Sequence, residues 1–494
     1  MKNTEINRGL AACIALAFST TTASADPQRL EPSLQLVAQA ANEKLPSSRD
    51  ALFADDEAPK KDAAPKQEST KESLFGDDLD LPKKPDAKNS SASGWKGFIQ
   101  EEVARTIAAP THWSKILTRA EIGNQGSLSN RLKWKIGARL DYDAVYDVDN
   151  FYSADVRKNQ RFNFNLRENY LDVDAGNWDF RIGRQHVVWG EVVGLFFADV
   201  VSAKDMREFI LPDFDVQRIP QWAARAEYFK DNFHAELLWI PVATFNKTGK
   251  PGADFFPALP TPPGITAQYK NELRPERSLA NSNYGLRLST LKNGWDLSGF
   301  YYRSVDAAPT FYRDFVDAPQ PGFIYEARHD RIQQLGGTLA KDLGSDIILK
   351  AEAVYTQGRQ FSVTRLSDVD GVVPQNTLDW VAGLDFSLPA ETRLNLQLFQ
   401  RLFFNHDPDI ISSKYENGFS VLLNGKLTDH IEAQALWIAS LNRSDWLLRP
   451  SITWAVEKNL RLRFGADIFQ GPALGLFGQY DSKDRVYTEL RYSY

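Results

Sequence analysis

The sequence of 494 residues has six histidines and one cysteine, and these candidate catalytic or metal-binding residues are scattered along it. No glycine-rich phosphate loop and no Gly-x-Ser-x-Gly element occurs in it. A hydrolase would need a nucleophile beside a histidine, and His186 with Ser202 is a conceivable pair that sequence alone cannot bring together. The histidines show no spacing typical of metal ligands; they are His112, His186, His234, His329, His406 and His430. We therefore expect neither an enzyme nor a bound metal or cofactor.

The one cysteine of the chain, Cys13, lies in an apolar stretch at residues 9–18 that follows Lys2 and Arg8. Small residues at 23–25 follow, so residues 1–25 are predicted to be a secretory signal peptide. A lipoprotein cleavage box at Cys13 is rejected because polar residues leave no apolar core upstream of it. The mature chain would then lack cysteine, which suits an oxidising compartment and excludes thiolate sites.

Composition excludes two further classes of protein. The net charge is -6 and the mean hydropathy is -0.41, so the chain is not expected to bind nucleic acid. No apolar run reaches the roughly 18 residues that a membrane-spanning helix needs.

Residues 26–94 are predicted to form a disordered periplasmic arm, because Pro, Lys, Asp, Glu, Ser and Ala dominate most of this stretch. Within it LFADD at residues 52–56 recurs as LFGDD at residues 74–78. The repeat is either a coincidence in a biased segment or a duplicated motif that docks a partner. The predicted docking residues are Leu52, Phe53, Leu74 and Phe75.

Residues 95–494 alternate apolar and polar side chains with period two, which predicts about eighteen β-strands. At residues 132–146, for example, Leu132, Trp134 and Ile136 alternate with polar neighbours. Short turns alternate with longer connections along this region. The pattern predicts an all-β, antiparallel transmembrane barrel in the cell outer membrane, in contact with its lipid. Most charges on the polar faces are expected to form cross-strand ion pairs inside the barrel.

The last alternating strand carries Val486, Thr488, Leu490, Tyr492 and Tyr494 on one face. An aromatic residue at the end of such a strand is the usual signal for the barrel assembly machinery. We therefore predict that Tyr492 and Tyr494 form the assembly signal.

The connection at residues 190–217 is too long and too apolar for an ordinary surface loop. It is expected to fold inward and narrow the lumen, and a capping box from Ser202 to Asp205 predicts a short helix within it. The predicted constriction residues are Val192, Leu195, Phe196, Phe197, Lys204, Asp205, Arg207 and Glu208.

The same region carries a resemblance to a known family. GRQHVVWG at residues 183–190 and DVVSAKDMREF at residues 199–209 resemble the signature of a proteobacterial outer-membrane family known only as a domain of unknown function. The sequence departs from it at Ser202-Ala203, where Asn-Pro is expected. The signature residues are Gly183, Arg184, Gln185, Trp189 and Gly190.

This resemblance implies an outer-membrane barrel whose genes often lie near exporters of the resistance-nodulation-division type and a soluble periplasmic partner. We accordingly predict a channel or export barrel, with a hydrophobic or lipid-like substrate. Two alternatives stay open: a general diffusion porin, and a scaffold that binds a periplasmic partner through the N-terminal arm.

Overall fold

The chain folds into one closed barrel of antiparallel strands. The computed structural model describes residues 94–190, 192, 198–259, 261–316 and 321–494. The barrel closes because its first strand pairs with both the second and the last. Two short pieces, Phe162–Leu166 and Asn169–Ala175, both pair with the same neighbour and form one interrupted strand, so the barrel has eighteen strands.

In chain order the strands are β1 (Lys96–Thr106), β2 (Trp113–Ser129), β3 (Leu132–Asp143), β4 (Phe162–Leu166 and Asn169–Ala175), β5 (Trp178–Gln185), β6 (Gln221–Lys230), β7 (Phe233–Ile240), β8 (Asn283–Lys292), β9 (Trp295–Val305), β10 (Arg331–Gly344), β11 (Ile347–Ser362), β12 (Val372–Leu388), β13 (Thr392–Phe404), β14 (Tyr415–Thr428), β15 (Ile431–Ser440), β16 (Trp446–Glu457), β17 (Leu460–Gln470) and β18 (Arg485–Ser493).

The barrel strands expose apolar side chains and bury polar ones, the reverse of a soluble protein. On β8, Leu286 and Leu288 are exposed, whereas Arg287 and Ser289 between and beside them are buried. Period-two alternation therefore places apolar side chains on the outside of the barrel and polar ones inside it. Exposed tryptophans lie on the same outer face, among them Trp222, Trp295, Trp437 and Trp454. The predicted outer-membrane barrel fold is confirmed.

Short turns and long loops alternate between the two rims. The turns span two or three residues, as between β2 and β3 at residues 130–131. The opposite rim carries loop 1 (107–112), loop 2 (144–161), loop 3 (186–220), loop 4 (241–282), loop 5 (306–330), loop 6 (363–371), loop 7 (405–414), loop 8 (441–445) and loop 9 (471–484). This is the arrangement that the sequence predicted.

The loops contain the remaining secondary structure of the described residues. Loop 2 holds helices α1 (Val145–Val148) and α2 (Ala154–Gln160), and loop 3 holds α3 (Phe214–Gln217). Single 3-10 turns lie at Leu279–Asn281 and Gly478–Lys483. In loops 4 and 5, strands Thr266–Tyr269, Thr310–Val316 and Gly322–Arg328 form a separate sheet. None of the helices in these described ranges is long and apolar enough to cross a bilayer.

The helix predicted from Ser202 to Asp205 is wrong. Ala203–Lys204 is instead a short strand that pairs antiparallel with Arg218–Ile219. The backbone N–H of Lys204 donates to Asn246 Oδ1 at 2.8 Å, and that of Asp205 donates to the Gln217 carbonyl at 2.7 Å. Residues outside 202–205 therefore accept from the N–H groups that a capping box would have satisfied.

Several predictions lie outside the described residues. They are the signal peptide at 1–25, the arm as far as residue 93 with Leu52, Phe53, Leu74 and Phe75, and the constriction residues Leu195, Phe196 and Phe197.

Candidate functional site

Loop 3 runs across the inside of the barrel, and its described residues, 186–190, 192 and 198–220, are called the inward segment below. Its backbone is held by wall residues on widely separated strands. Arg139 on β3 donates to the Val216 carbonyl at 3.0 Å, and Arg449 on β16 donates to the Leu211 carbonyl at 2.8 Å. Glu352 on β11 accepts from two further backbone N–H groups. Since β3 and β11 are eight strands apart in a ring of eighteen, the segment reaches opposite walls.

The signature residues lead the chain from β5 into this segment. Gly183 has φ of 138°, and a Cβ there would lie 2.4 Å from the carbonyl oxygen of Asn169, so the position requires glycine. Arg184 donates to the Leu166 carbonyl at 2.7 Å, and buried Gln185 donates to the Ala223 carbonyl at 3.0 Å. These bonds fix the end of β5 against β4 and β6.

Trp189 is fully buried where the segment leaves the wall. Its indole N–H donates to Glu236 Oε1 on β7 at 3.2 Å, and its ring packs against Phe300 and Tyr302 at 5.2 and 5.7 Å. A Cβ at Gly285 would lie 2.5 Å from this ring. The glycine therefore makes room for the indole against β8, and Gly190 follows directly.

Glu352 binds the inward segment at two points, and this pair of hydrogen bonds is called the clasp. Its Oε1 accepts from the Val192 N–H and its Oε2 from the Ala198 N–H, both at 2.8 Å. The side chain is buried, and its two oxygens bind two different points of the segment. A single wall carboxylate thereby fixes Val192, one of the predicted constriction residues, against β11.

Phe209 anchors the middle of the segment in an aromatic cluster. Its φ is 52°, a left-handed conformation that is rare for a bulky residue. The ring lies 4.8 Å from Tyr480 and 6.2 Å from Phe477, both in loop 9. The Phe209 carbonyl accepts from Gln217 Nε2 at 2.7 Å. Such a conformation persists where its surroundings determine it, which indicates a rigidly held segment.

The predicted charged constriction residues all form ion pairs. Lys204 lies 3.6 Å from Asp199, and Arg207 pairs with Asp205 at 2.6 Å, both within the segment. Glu208 contacts two wall cations, Lys115 on β2 and Arg485 on β18. Thus Glu208 ties the segment to the wall, whereas Lys204, Asp205 and Arg207 are neutralised within the segment itself.

Two cavities lie beside the inward segment. The larger, cavity 1, leaves about 120 Å³ open to water-sized molecules, between the segment, loops 4 and 5 and strands β8 to β13. The smaller, cavity 2, has about 60 Å³ and is lined mainly by charged side chains of β2, β3 and the segment. Apolar and charged side chains line both cavities.

Asp254 of loop 4 joins four loops at the outer rim. It accepts from His112 of loop 1 at 3.0 Å and from the Tyr152 hydroxyl of loop 2 at 2.7 Å, and Lys483 of loop 9 lies 3.2 Å away. Burial alone would lower the pKa of His112, but the hydrogen bond and charge of Asp254 outweigh it and raise that pKa. Burial opposes ionisation of Asp254, and the same partners nevertheless lower its pKa.

A second carboxylate holds loop 9 above the segment. Buried Asp445 accepts from the backbone N–H groups of Leu476, Phe477 and Gly478 at 2.7 to 2.9 Å. This places Phe477 and Tyr480 against Phe209.

Sequence reasoning found the inward segment but missed the residues that hold it. Glu352, Asp445 and Asp254 have no local sequence signal, because their partners lie far away in the chain. Of the conceivable pair His186 and Ser202, Ser202 Oγ donates to the Val187 carbonyl at 3.0 Å. Tyr492 and Tyr494, the predicted assembly signal, are exposed on the outer side of the closing strand.

A closed barrel with an apolar exterior, a charged interior and a connection folded inward defines a porin-like outer-membrane β-barrel. The chain belongs to the family described as "Protein of unknown function (DUF1302)", whose model matches residues 111–399. The predicted membership of a family of unknown function is thereby confirmed. None of the curated proteins with which the sequence was compared matches it.

Solved structures of similar architecture are outer-membrane barrels of low sequence identity. OccK8 (OprE) of Pseudomonas aeruginosa is 10% identical, with a TM-score of 0.46 over 81% of this chain and 97% of that one. OccAB4 of Acinetobacter baumannii is 10% identical, with a TM-score of 0.44 over the same shares. OmpF of Salmonella typhi, in a complex with daunomycin, is 9% identical, with a TM-score of 0.41 over 81% and 97%.

Proposed function

We propose that this protein is a channel of the cell outer membrane whose lumen is narrowed by the inward segment, and that it passes or exports a hydrophobic or lipid-like substrate. The observation that carries the proposal is the attachment of the segment to opposite walls, through Val216 to Arg139 and through Val192 and Ala198 to Glu352. A plug fixed at several points leaves narrow paths on either side of it.

The apolar part of cavity 1 supports a hydrophobic substrate. Val200, Val201, Met206, Phe209 and Phe255 line it and offer a surface to an apolar molecule. The cations in the same lining, Lys204, Arg359 and Arg401, are paired with carboxylates. The family resemblance adds a periplasmic partner and an inner-membrane exporter as proposed sources of such a substrate. A general diffusion porin would need a wide aqueous path, which a segment fixed across the lumen opposes.

The test is the conductance of single channels in planar bilayers. Residues 192–208 are replaced by a short Gly/Ser linker, which removes Glu208 and the attachments to Glu352. We expect a clearly larger conductance than that of the parent protein, because the lumen of an eighteen-stranded barrel is wide enough to conduct when it is empty.

A matched control shortens a loop that does not cross the lumen. Asp314 and Ile324 are cross-strand partners in the loop 5 hairpin, so the chain can be closed there with the same linker. This control is expected to keep the parent conductance. Equal conductance of the parent and the 192–208 variant would mean that the segment constricts nothing, and the proposal would be abandoned.

A further inference from the structure

We infer that the outer surface of the barrel binds a phosphorylated lipid of the outer leaflet, and that Arg303 and Arg331 hold its phosphate group. The two residues lie on β9 and β10, close to the rim that carries the long loops. Long loops mark the extracellular rim of an outer-membrane barrel, whereas short turns mark the periplasmic rim. The inference concerns the outside of the barrel and therefore does not depend on the constriction proposed above.

The direction of both arginines follows from the alternation of their strands. On β9, Tyr301 is exposed on the outer face and Tyr302 is buried inside the barrel, so Arg303 shares the outer face with Tyr301. On β10, exposed Leu335 defines the outer face, and Arg331 lies on it four residues earlier. Both arginines are partly exposed, so a lipid outside the barrel can contact them.

Arg331 lies at the height where the apolar band of the barrel ends. On the same face of β10, Lys341 follows ten positions later, and its ammonium group lies 5.2 Å from the ring centroid of Trp295 near a short turn. Ten residues of strand span about 33 Å, which a tilt of about 35–45° reduces to about 25 Å across the membrane. The apolar band of such barrels has this height, so Arg331 and Lys341 mark its two boundaries.

Neighbouring groups hold both guanidinium groups in place. Arg303 donates to the Tyr284 hydroxyl at 2.9 Å. Arg331 donates to the Ala280 carbonyl at 2.7 Å and to Asn281 Oδ1 at 3.0 Å. Each arginine has five N–H donors, so these bonds leave donors for a ligand. Donors arranged in advance lose less entropy when the ligand binds.

The two positive charges lack a negative partner. Neither arginine forms an ion pair within the described residues, unlike Arg401 in the lumen, which pairs with Asp379 at 2.6 Å. Arg303 lies opposite Gln333, so Arg331 is its diagonal neighbour across the same strand pair. Diagonal neighbours are about 7–8 Å apart, and two cations at that distance repel each other beside a medium of low dielectric constant. An anion bound between them removes that repulsion.

A phosphate that carries acyl chains fits this surface. Arginine binds phosphate oxygens through two parallel hydrogen bonds, which favours phosphate as the anion. On the membrane side of the arginines, exposed Leu286, Tyr301 and Leu335 form one row across β8, β9 and β10. This row offers an apolar surface to the acyl chains, while the arginines bind the headgroup.

The experiment measures the binding of lipid A, a phosphorylated glycolipid, to the full-length protein in detergent micelles by native mass spectrometry. The test variant combines Arg303→Gln with Arg331→Gln. It is expected to weaken lipid A binding about 10- to 30-fold, as the loss of two interfacial cations implies. Fully dephosphorylated lipid A should bind the parent and this double variant equally weakly.

Lys341→Gln is the matched control, because it removes an outward cation from the same strand at the opposite boundary. It should keep the affinity of the parent protein for lipid A. Inorganic phosphate in excess should not displace lipid A, because the free ion makes no contact with the apolar row. Folding of every variant is checked by the heat-modifiable band of the closed barrel on a gel.

Equal lipid A affinity of the parent and the double variant would overturn the inference, and so would an equal loss in Lys341→Gln. Tight binding of dephosphorylated lipid A would mean that the apolar row alone holds the lipid. Displacement by inorganic phosphate would indicate a site for the free ion, and either result would remove the lipid phosphate site. Binding in micelles needs no conduction, so these outcomes leave the channel proposal to its own bilayer test.

Discussion

The clasp formed by Glu352 gives a sharp test of how the inward segment is held. Glu352→Gln keeps the size of the side chain but replaces one acceptor oxygen with an N–H2 group. Because Val192 and Ala198 each donate to a different oxygen at 2.8 Å, one of the two bonds must be lost. An N–H2 group would also face a backbone N–H.

The magnitude follows from the charge on the acceptor. A hydrogen bond to a charged group contributes about 1.5–3 kcal/mol, and a buried donor left without a partner adds to the loss. At about 1.4 kcal/mol per factor of ten, local release of the segment from β11 should become about 10- to 150-fold more frequent.

Single-channel recording in planar bilayers measures this release as brief transitions to a higher current. Glu352→Gln should show them far more often than the parent protein. Glu352→Asp keeps the negative charge but is one methylene shorter and cannot reach both N–H groups, so it should behave like Glu352→Gln. If Glu352→Asp matches the parent while Glu352→Gln does not, the effect comes from the wall charge and the clasp is not what holds the segment. Identical recordings for all three proteins would refute the reasoning altogether.

Two further predictions concern assembly and pH. The backbone of Tyr494 exchanges two hydrogen bonds of 3.0 Å with Gly97. Deletion of Tyr494 should therefore lower the amount of heat-modifiable barrel in the outer membrane, whereas Tyr494→Phe should keep it. Equal yield after the deletion would show that Tyr494 has no role in assembly. The raised pKa of His112 means that its ion pair with Asp254 stabilises the rim loops below the ordinary histidine pKa of about 6.5 and that this contribution is lost as the pH rises through the raised value. Protease cleavage of loop 4 should therefore increase with pH in the parent but not in His112→Gln, and a parallel increase in both would contradict the prediction.

Much of the fold could be predicted because each strand exposes one face to lipid. On β8 the exposed side chains include Tyr284, Leu286 and Leu288, and such a row is visible in the sequence alone. The turns were equally visible, since a turn of two or three residues must separate two alternating runs.

The interruption of β4 was not predicted, although the sequence marks it. The exposed apolar residues Phe162, Phe164 and Leu166 occupy even positions, whereas Leu171 and Val173 occupy odd ones, and the strand breaks between them at Arg167 and Glu168. There the Asn169 side chain bonds to the backbone of Gly137, while Arg167 donates to the Arg218 and Asp215 carbonyls of the inward segment. The change of phase marks the break, but its partner about fifty positions away in the chain is contained in no local pattern.

The candidate site, too, could be predicted only in part. The apolar character of residues 190–217 predicted that the connection needs a surface to pack against, and the structure supplies the barrel wall. The sequence could not indicate that Glu352 binds residues 154 and 160 positions earlier, or that Tyr480 lies against Phe209. Inward-facing carboxylates are frequent on these strands, and only the fold shows that Glu352 is the one that accepts from Val192 and Ala198.

The closing seam has a consequence for the order of events in the cell. β1 and β18 pair from Phe98 opposite Ser493 to Thr106 opposite Arg485, so the two strands that complete the ring are almost the whole barrel apart in the chain. No bond of that seam can form before β18 has been synthesised and delivered. Until then β1 presents an unpaired edge, and such edges readily pair with other chains. Contacts between such distant residues also form slowly. The edge of β1 is therefore open to pairing with other chains until the last strand reaches it.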